Sequence, residues 1–330
     1  MRKTRALRNF LASLGLSLSI YALGGGPVLA DEAVRFRLVQ GQFAVVPVMV
    51  NGEGPFDFLF DTGTNATIID LSLNKQLALQ PSDRILLMTV AGSRAVPRAR
   101  LQKLALGAKA SENLEILCGD LRDLRSLDAG IRGVLGQDFL SRFNYILNYG
   151  ERRIEFEEGG EMERALLGAR LRFEDDEGMM IVATEPASTK ERALRLALDS
   201  AVSSLVIFDA SIIGRLGYDV LFGATPSVKA STNFGSMDMR PGRISRLRVG
   251  SETFRDLPLV LAEGFAMTQG RSYDGLLPAR LFRAIYFNHE TKTLILNPRL
   301  PTRRRATGAA RAASLIDDDK TALKRCAASS

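Results

Sequence analysis

The chain has 330 residues, 46% hydrophobic and 25% charged, enough globular material for two cores of roughly 130 residues each. Its formal charge of +7 is concentrated at the two ends, so residues 31–298 are close to neutral and no nucleic-acid face is required of them. One histidine (His289) and two cysteines (Cys118, Cys326) leave almost nothing for a zinc site or for a Ser-His-Asp or Cys-His nucleophile; carboxylate chemistry remains, needing neither metal nor cofactor.

Arg2, Lys3, Arg5 and Arg8 precede an apolar run from Phe10 to Leu23 and the small-residue segment Val28-Leu29-Ala30. That order predicts a secretory signal peptide over residues 1–30, cleaved after Ala30. Gly24-Gly25-Gly26-Pro27 interrupts the run before it reaches the length of a span, so no membrane span is expected after cleavage. The expected location is periplasmic or secreted.

Short strands follow: Ala44 to Val50, Phe56 to Phe60 and Leu101 to Leu106, each bounded by Gly, Pro or Asn. Helical periodicity is brief, as in Leu71 to Leu79, so the class is all-β. Phe56, Phe58 and Phe60 alternate into Asp61-Thr62-Gly63, followed by the apolar run Ala66 to Ile69 and by Asp70. Cys118 closes the run Leu114 to Cys118 and is expected as a buried small hydrophobe, not as a disulfide partner of Cys326. Ile131 to Leu140 is an apolar run with glycines at Gly133 and Gly136.

Glu157-Glu158-Gly159-Gly160-Glu161 breaks the alternation, which places a boundary between a lobe at 31–160 and another at 161–298. Leu194, Leu196 and Leu198 then alternate into Asp199-Ser200-Ala201, followed by Ser204 to Asp209. The stretch Phe222 to Pro241 is polar, holds Gly223, Pro226, Gly235 and Pro241, and reads as a loop. His289 follows Asn288 at a hairpin turn and is expected to be solvated. Residues 299–330, rich in Ala, Arg and Ser, read as a flexible basic tail.

Four landmarks recur in one order at offsets of 138 to 143 residues: Asp61 with Asp199, Leu104 to Gly107 with Leu247 to Gly250, Gly133 to Gly136 with Gly275 to Pro278, and Phe143 to Tyr149 with Arg283 to His289. The register predicts a duplicated domain. Asp70 and Asp209 read as helix caps or turn residues, and Asp138 and Asp274 as structural acids.

The motif Asp61-Thr62-Gly63, its preceding strand and the later Gly133-Val134-Leu135-Gly136 resemble the aspartyl protease family, retropepsin-like and pepsin-like peptidases, and in particular bacterial exported members with two retropepsin-like lobes. The resemblance implies a bilobal pepsin-like fold built from two duplicated β-barrel lobes, acting as a monomer on a peptide or protein substrate. It implies Asp61 and Asp199 as the catalytic pair, supported by Thr62, Gly63, Thr64, Ser200 and Ala201. It matches Met88 to Ser93, with Ala91 and Gly92 at its tip, to the family's flap. Two departures stand out: Ala201 where glycine is usual, and Pro278 in place of the second glycine.

Two carboxylates held against each other cannot both ionise cheaply, so they share one proton. The ionised member can take a proton from water while the other hydrogen-bonds a scissile carbonyl. Thr64 can hydrogen-bond Asp61 where Val202 cannot serve Asp199, which makes Asp61 the expected acidic member. A peptide-binding protein with an impaired dyad is the alternative reading; a glycosidase is a third, weakened by the absence of Trp.

Overall fold

The computed structural model describes residues 33–299 apart from 90–91, 158–159, 189–190, 224–226, 233–234 and 263–271. The predicted leader, the tail beyond Arg299 with Cys326, and Ala91 lie outside the described residues.

Up to the middle of the chain the strands are β1 (Val34–Arg35), β2 (Arg37–Val39), β3 (Phe43–Val50), β4 (Glu53–Phe60), β5 (Ile68–Asp70), β6 (Asp83–Thr89), β7 (Gly92–Leu106), β8 (Lys109–Gly119), β9 (Ile131–Leu135), β10 (Tyr145–Asn148) and β11 (Arg153–Phe156). There follow β12 (Arg170–Arg172), β13 (Glu174–Asp176), β14 (Met179–Ala183), β15 (Arg195–Asp199), β16 (Leu205–Ile207), β17 (Val220–Phe222), β18 (Val228–Thr232), β19 (Gly235–Val249), β20 (Glu252–Leu261), β21 (Gly275–Pro278), β22 (Ala284–Asn288) and β23 (Thr293–Leu296). The helices are short: α1 (Leu71–Gln76), α2 (Arg122–Leu127), α3 (Gln137–Leu140), α4 (Met162–Ala165) and α5 (Ala210–Arg215). The fold is all-β, as the sequence predicts. Among the described residues no helix is long and apolar enough to cross a membrane.

Two large sheets carry the two acidic motifs. One runs β2-β3-β4-β9-β5-β8-β7-β6, the other β13-β14-β15-β21-β16-β20-β19-β17, with β18 on β19. In the first, β4 is parallel to β9, which is antiparallel to β5, which is parallel to β8. In the second, β15, β21, β16 and β20 repeat those senses in that order. Each acidic motif thus leaves a strand flanked on both sides, whose apolar residues are enclosed: Phe58 and Phe60 ahead of Asp61, Leu196 and Leu198 ahead of Asp199. Each such side chain contributes roughly 1.5–3 kcal/mol on burial.

The third sheet, β1-β11-β10-β22-β23-β12, joins strands from the start, the middle and the end of the described residues. Its centre is the antiparallel pair β10 and β22, with Ile146 opposite Tyr286. Tyr145 stacks on Phe287, ring centroids 4.7 Å apart, and meets Phe60 edge-on at 5.7 Å, so this sheet packs directly behind the strand that ends at Asp61. The segment after Glu157 is tied to the sheet. Glu157 accepts from the Met162 amide (2.8 Å) and the Tyr286 hydroxyl (2.6 Å), and Met162 and Leu166 of the α4 segment pack on Ile146 and Ile295.

Three single-residue expectations hold. Asp70 and Asp209 cap α1 and α5, accepting from the Ser72 and Ser211 amides at 2.9 and 2.8 Å. Cys118 is buried and unpaired, and burial raises its thiol pKa to about 11.

Two expectations are overturned. The stretch Phe222 to Pro241 is not a loop: β18 pairs with β19 from Val228 opposite Met239 to Thr232 opposite Gly235. Pro241 is tolerated because the β18 pairing ends at Met239 and the β17 pairing begins only at Gly242, so its missing amide falls between the two. His289 is not solvated. Its ring lies parallel to Phe287 at 6.4 Å and meets Phe173 edge-on at 6.0 Å, and its Nε2 is enclosed without a hydrogen-bond partner. Burial lowers its pKa to about 4.

Candidate active site

The two acidic motifs meet through their second residues. The Thr62 amide donates to Ser200 Oγ (3.0 Å) and the Ser200 amide donates to Thr62 Oγ1 (3.0 Å). Each hydroxyl in turn donates to the carbonyl two residues before the opposite motif's second residue: Thr62 Oγ1 to Leu198 O at 3.0 Å, Ser200 Oγ to Phe60 O at 2.6 Å. All four groups are buried, so each bond replaces water that cannot reach the site. The effect is to hold the ends of β4 and β15 against each other, and with them Asp61 and Asp199.

The third residue of each motif serves its own aspartate. The Gly63 amide donates to Asp61 Oδ1 (2.8 Å), and the Ala201 amide donates to Asp199 Oδ1 (2.7 Å). Gly63 must lack a side chain: a Cβ there would lie 2.2 Å from Asp199 Cγ and 2.3 Å from Asp199 Oδ2. The carboxyl of Asp199 therefore occupies the space beside the Gly63 main chain.

Asp61 is 3% and Asp199 5% exposed, and the charge of Asp61 acts on Asp199. Burial, and then the charge of Asp61, hold the Asp199 carboxyl well above the usual carboxylate range, against the pull of the Ala201 and Val202 amides. A carboxyl that stays protonated beside one that carries charge can donate a hydrogen bond while its neighbour accepts a proton.

Thr64 Oγ1 donates to the Ala66 carbonyl at 3.4 Å. Gly92 begins β7, opposite Thr89 of β6, so the backbone of the predicted flap is a hairpin as far as it is described; Ala91 lies outside the described residues. The matching hairpin of β18 and β19 begins its second strand at Gly235, 143 residues after Gly92, the same offset that relates Gly107 to Gly250.

Asp138 and Asp274 stand apart from the pair. Asp138 accepts from the Thr67 amide (2.9 Å) and hydroxyl (2.6 Å), and burial raises its pKa. Asp274 takes a two-pronged ion pair from Arg192, both contacts at 2.7 Å, and the Arg195 amide at 2.9 Å. Asp138 thus fixes the segment ahead of β5, and Asp274 the start of β15.

Two residues near the pair carry no role in the sequence reading. Gln137 is buried; its Nε2 donates to Thr62 O (3.0 Å) and its amide to Thr64 O (2.9 Å), so it fixes the loop that follows Asp61. The only sequence signal is its place directly after Gly136. Tyr149 is buried with its hydroxyl enclosed, and the Arg280 guanidinium covers its ring at 5.2 Å. Burial, then the Asp199 charge, push the phenol pKa up; Arg280 opposes this and Asp61 adds to it. Tyr149 reaches the pair only through the third sheet, which no local pattern announces. Among the described residues no group of acidic, His and Cys side chains could hold a metal ion.

The sequence model of a family described as aspartyl protease matches residues 46–139. The matched segment runs from β3 to the first residues of α3 and includes Asp61, Thr62, Gly63 and the Gly133 to Gly136 run. It supports an aspartic protease, a hydrolase, in general terms. A search of curated proteins finds no match to the chain.

Proposed function

We propose that the chain is an aspartic endopeptidase that hydrolyses peptide bonds with a water activated between Asp61 and Asp199. The observation that carries this reading is the reciprocal bonding of Thr62 and Ser200, which sets two buried carboxyls side by side, one of them inclined to keep its proton. In this reading Asp61 carries the negative charge, its Oδ1 accepting from the Gly63 amide, and takes a proton from water as the water oxygen bonds to the scissile carbonyl carbon. Asp199 gives its proton to the carbonyl oxygen, forming a neutral tetrahedral diol. Collapse breaks the carbon–nitrogen bond as the amine nitrogen gains the proton held by Asp61, and a diol proton returns to the pair. Atoms and charges balance, and no covalent intermediate forms.

The remaining features follow as parts of the same proposal. Residues 1–30 act as an export signal, placing the enzyme in the periplasm or outside the cell. Residues 31–160 and 161–298 are two related lobes, each giving one aspartate, which allows a monomer to work; 299–330 extend beyond them. The matching senses of β4-β9-β5-β8 and β15-β21-β16-β20 support a duplication. The hairpin of β6 and β7 covers an extended peptide substrate.

A second reading, a peptide-binding protein with an impaired pair, is favoured by Ala201 and Pro278. Cleavage of a mixed peptide library by the purified protein, beside Asp61→Asn and Asp199→Asn, decides between them. Peptidase activity lost in both variants supports the proposal; peptides retained but never cut support the alternative.

A further inference from the structure

The two motif loops are related by a local two-fold, and one methyl group violates it. Thr62 N to Ser200 Oγ matches Ser200 N to Thr62 Oγ1, both at 3.0 Å, and Gly63 N to Asp61 Oδ1 (2.8 Å) matches Ala201 N to Asp199 Oδ1 (2.7 Å). On the Asp61 side the third residue is glycine, and a Cβ there would overlap the opposite carboxyl, 2.2 Å from Asp199 Cγ. On the Asp199 side the third residue is alanine, whose Cβ is real.

If the two-fold extended to the carboxyls, Ala201 Cβ would overlap Asp61 as a Cβ at residue 63 would overlap Asp199. Carbon atoms do not approach that closely, so the Asp61 carboxyl must stand further from residue 201 than Asp199 stands from residue 63. The methyl does not simply yield. Ala201 packs against the apolar cluster of Val39, Val45, Leu59 and Ile68 on the sheet that carries Asp61. Asp199 is thus packed against the Gly63 backbone with no room for another atom between them, while the Asp61 carboxyl keeps clear of the Ala201 methyl. The charges of the pair also reach Tyr149, whose ring lies under the Arg280 guanidinium. Neither belongs to a motif loop: Tyr149 follows β10, and Arg280 follows β21, whose Pro278 lies opposite Asp199.

We infer that Ala201 is a positioning residue whose methyl breaks the symmetry of the pair and confines the shared proton to Asp199. This rests on the peptidase reading for its relevance to catalysis, but not for its test. A symmetric pair delocalises one proton over both carboxyls, and each then titrates in two steps. A biased pair gives each carboxyl essentially one step.

The experiment is carboxyl-carbon NMR of the full chain with isotopically labelled aspartate, titrated across about pH 3 to 8, the two resonances assigned with Asp61→Asn and Asp199→Asn. The wild type is expected to show one step per carboxyl, Asp61 at the lower pH. Ala201→Gly is expected to show two steps in both resonances, and Ala201→Ser, which keeps the Cβ, to behave as the wild type. The double exchange Gly63→Ala with Ala201→Gly moves the methyl to the other loop and is expected to move the proton to Asp61. Two-step curves in the wild type, unchanged curves in Ala201→Gly, or a double exchange that leaves the proton on Asp199 would overturn the inference. Failure of the peptidase reading shows separately, as absent cleavage with the titration intact.

Discussion

Thr62 and Ser200 bond each other in both directions, amide to hydroxyl, at 3.0 Å each way. Removing the Thr62 hydroxyl strands the Leu198 carbonyl and the Ser200 amide in a buried place, each costing about 1–3 kcal/mol. Thr62→Ala is therefore expected to lower unfolding stability by about 2–4 kcal/mol, and Thr62→Ser to recover most of it. Denaturant melts of the three proteins test this; a loss under about 1 kcal/mol in Thr62→Ala would show that the bonds are not what joins the loops.

Gly63 is defined by what lies beside it. Because its missing Cβ would sit 2.2 Å from Asp199 Cγ, Gly63→Ala must push that carboxyl out of place. The expected cost in stability is about 1–3 kcal/mol, while kcat/KM falls about 100-fold or more, since a misplacement of about 1 Å suffices for that. Steady-state kinetics with a cleaved peptide, beside a melt, separate the two effects.

His289 makes the fold sensitive to acid. Its folded pKa is about 4 against an ordinary value of 6.5. Above pH 6.5 both states are neutral and the residue has no effect. Between 6.5 and 4 the unfolded chain binds a proton that the folded chain does not, so stability falls as the pH falls through that window. The loss amounts to about 3 kcal/mol in full. His289→Phe, which suits the ring cluster of Tyr145, Phe173 and Phe287, is expected to flatten the stability profile over this range. Equal slopes in the two proteins would refute it.

These features differ in how openly the sequence declares them. The Asp61 and Asp199 loops were legible because alternating Phe56, Phe58, Phe60 and Leu194, Leu196, Leu198 announce strands that end on an acid, and because the offsets keep register. The caps at Asp70 and Asp209 were legible because capping is local chemistry. The β18 and β19 hairpin was hidden by Gly and Pro, which break strands in general but not where Pro241 sits between two partners. His289 and Tyr149 were hidden for another reason. The rings that surround them, Phe36 at Tyr149, and Tyr145 and Phe173 at His289, are far away in sequence and gathered only by the third sheet.

The central claim is that Asp61 and Asp199 act as one unit on a peptide bond, and the direct measurement is the rate of peptide cleavage by the wild type, Asp61→Asn, Asp199→Asn and the double variant. A unit predicts that each single change removes nearly all activity and that the double change removes no more. Full loss in Asp61→Asn with Asp199→Asn still active would contradict it, leaving the second motif as support for a single working carboxylate.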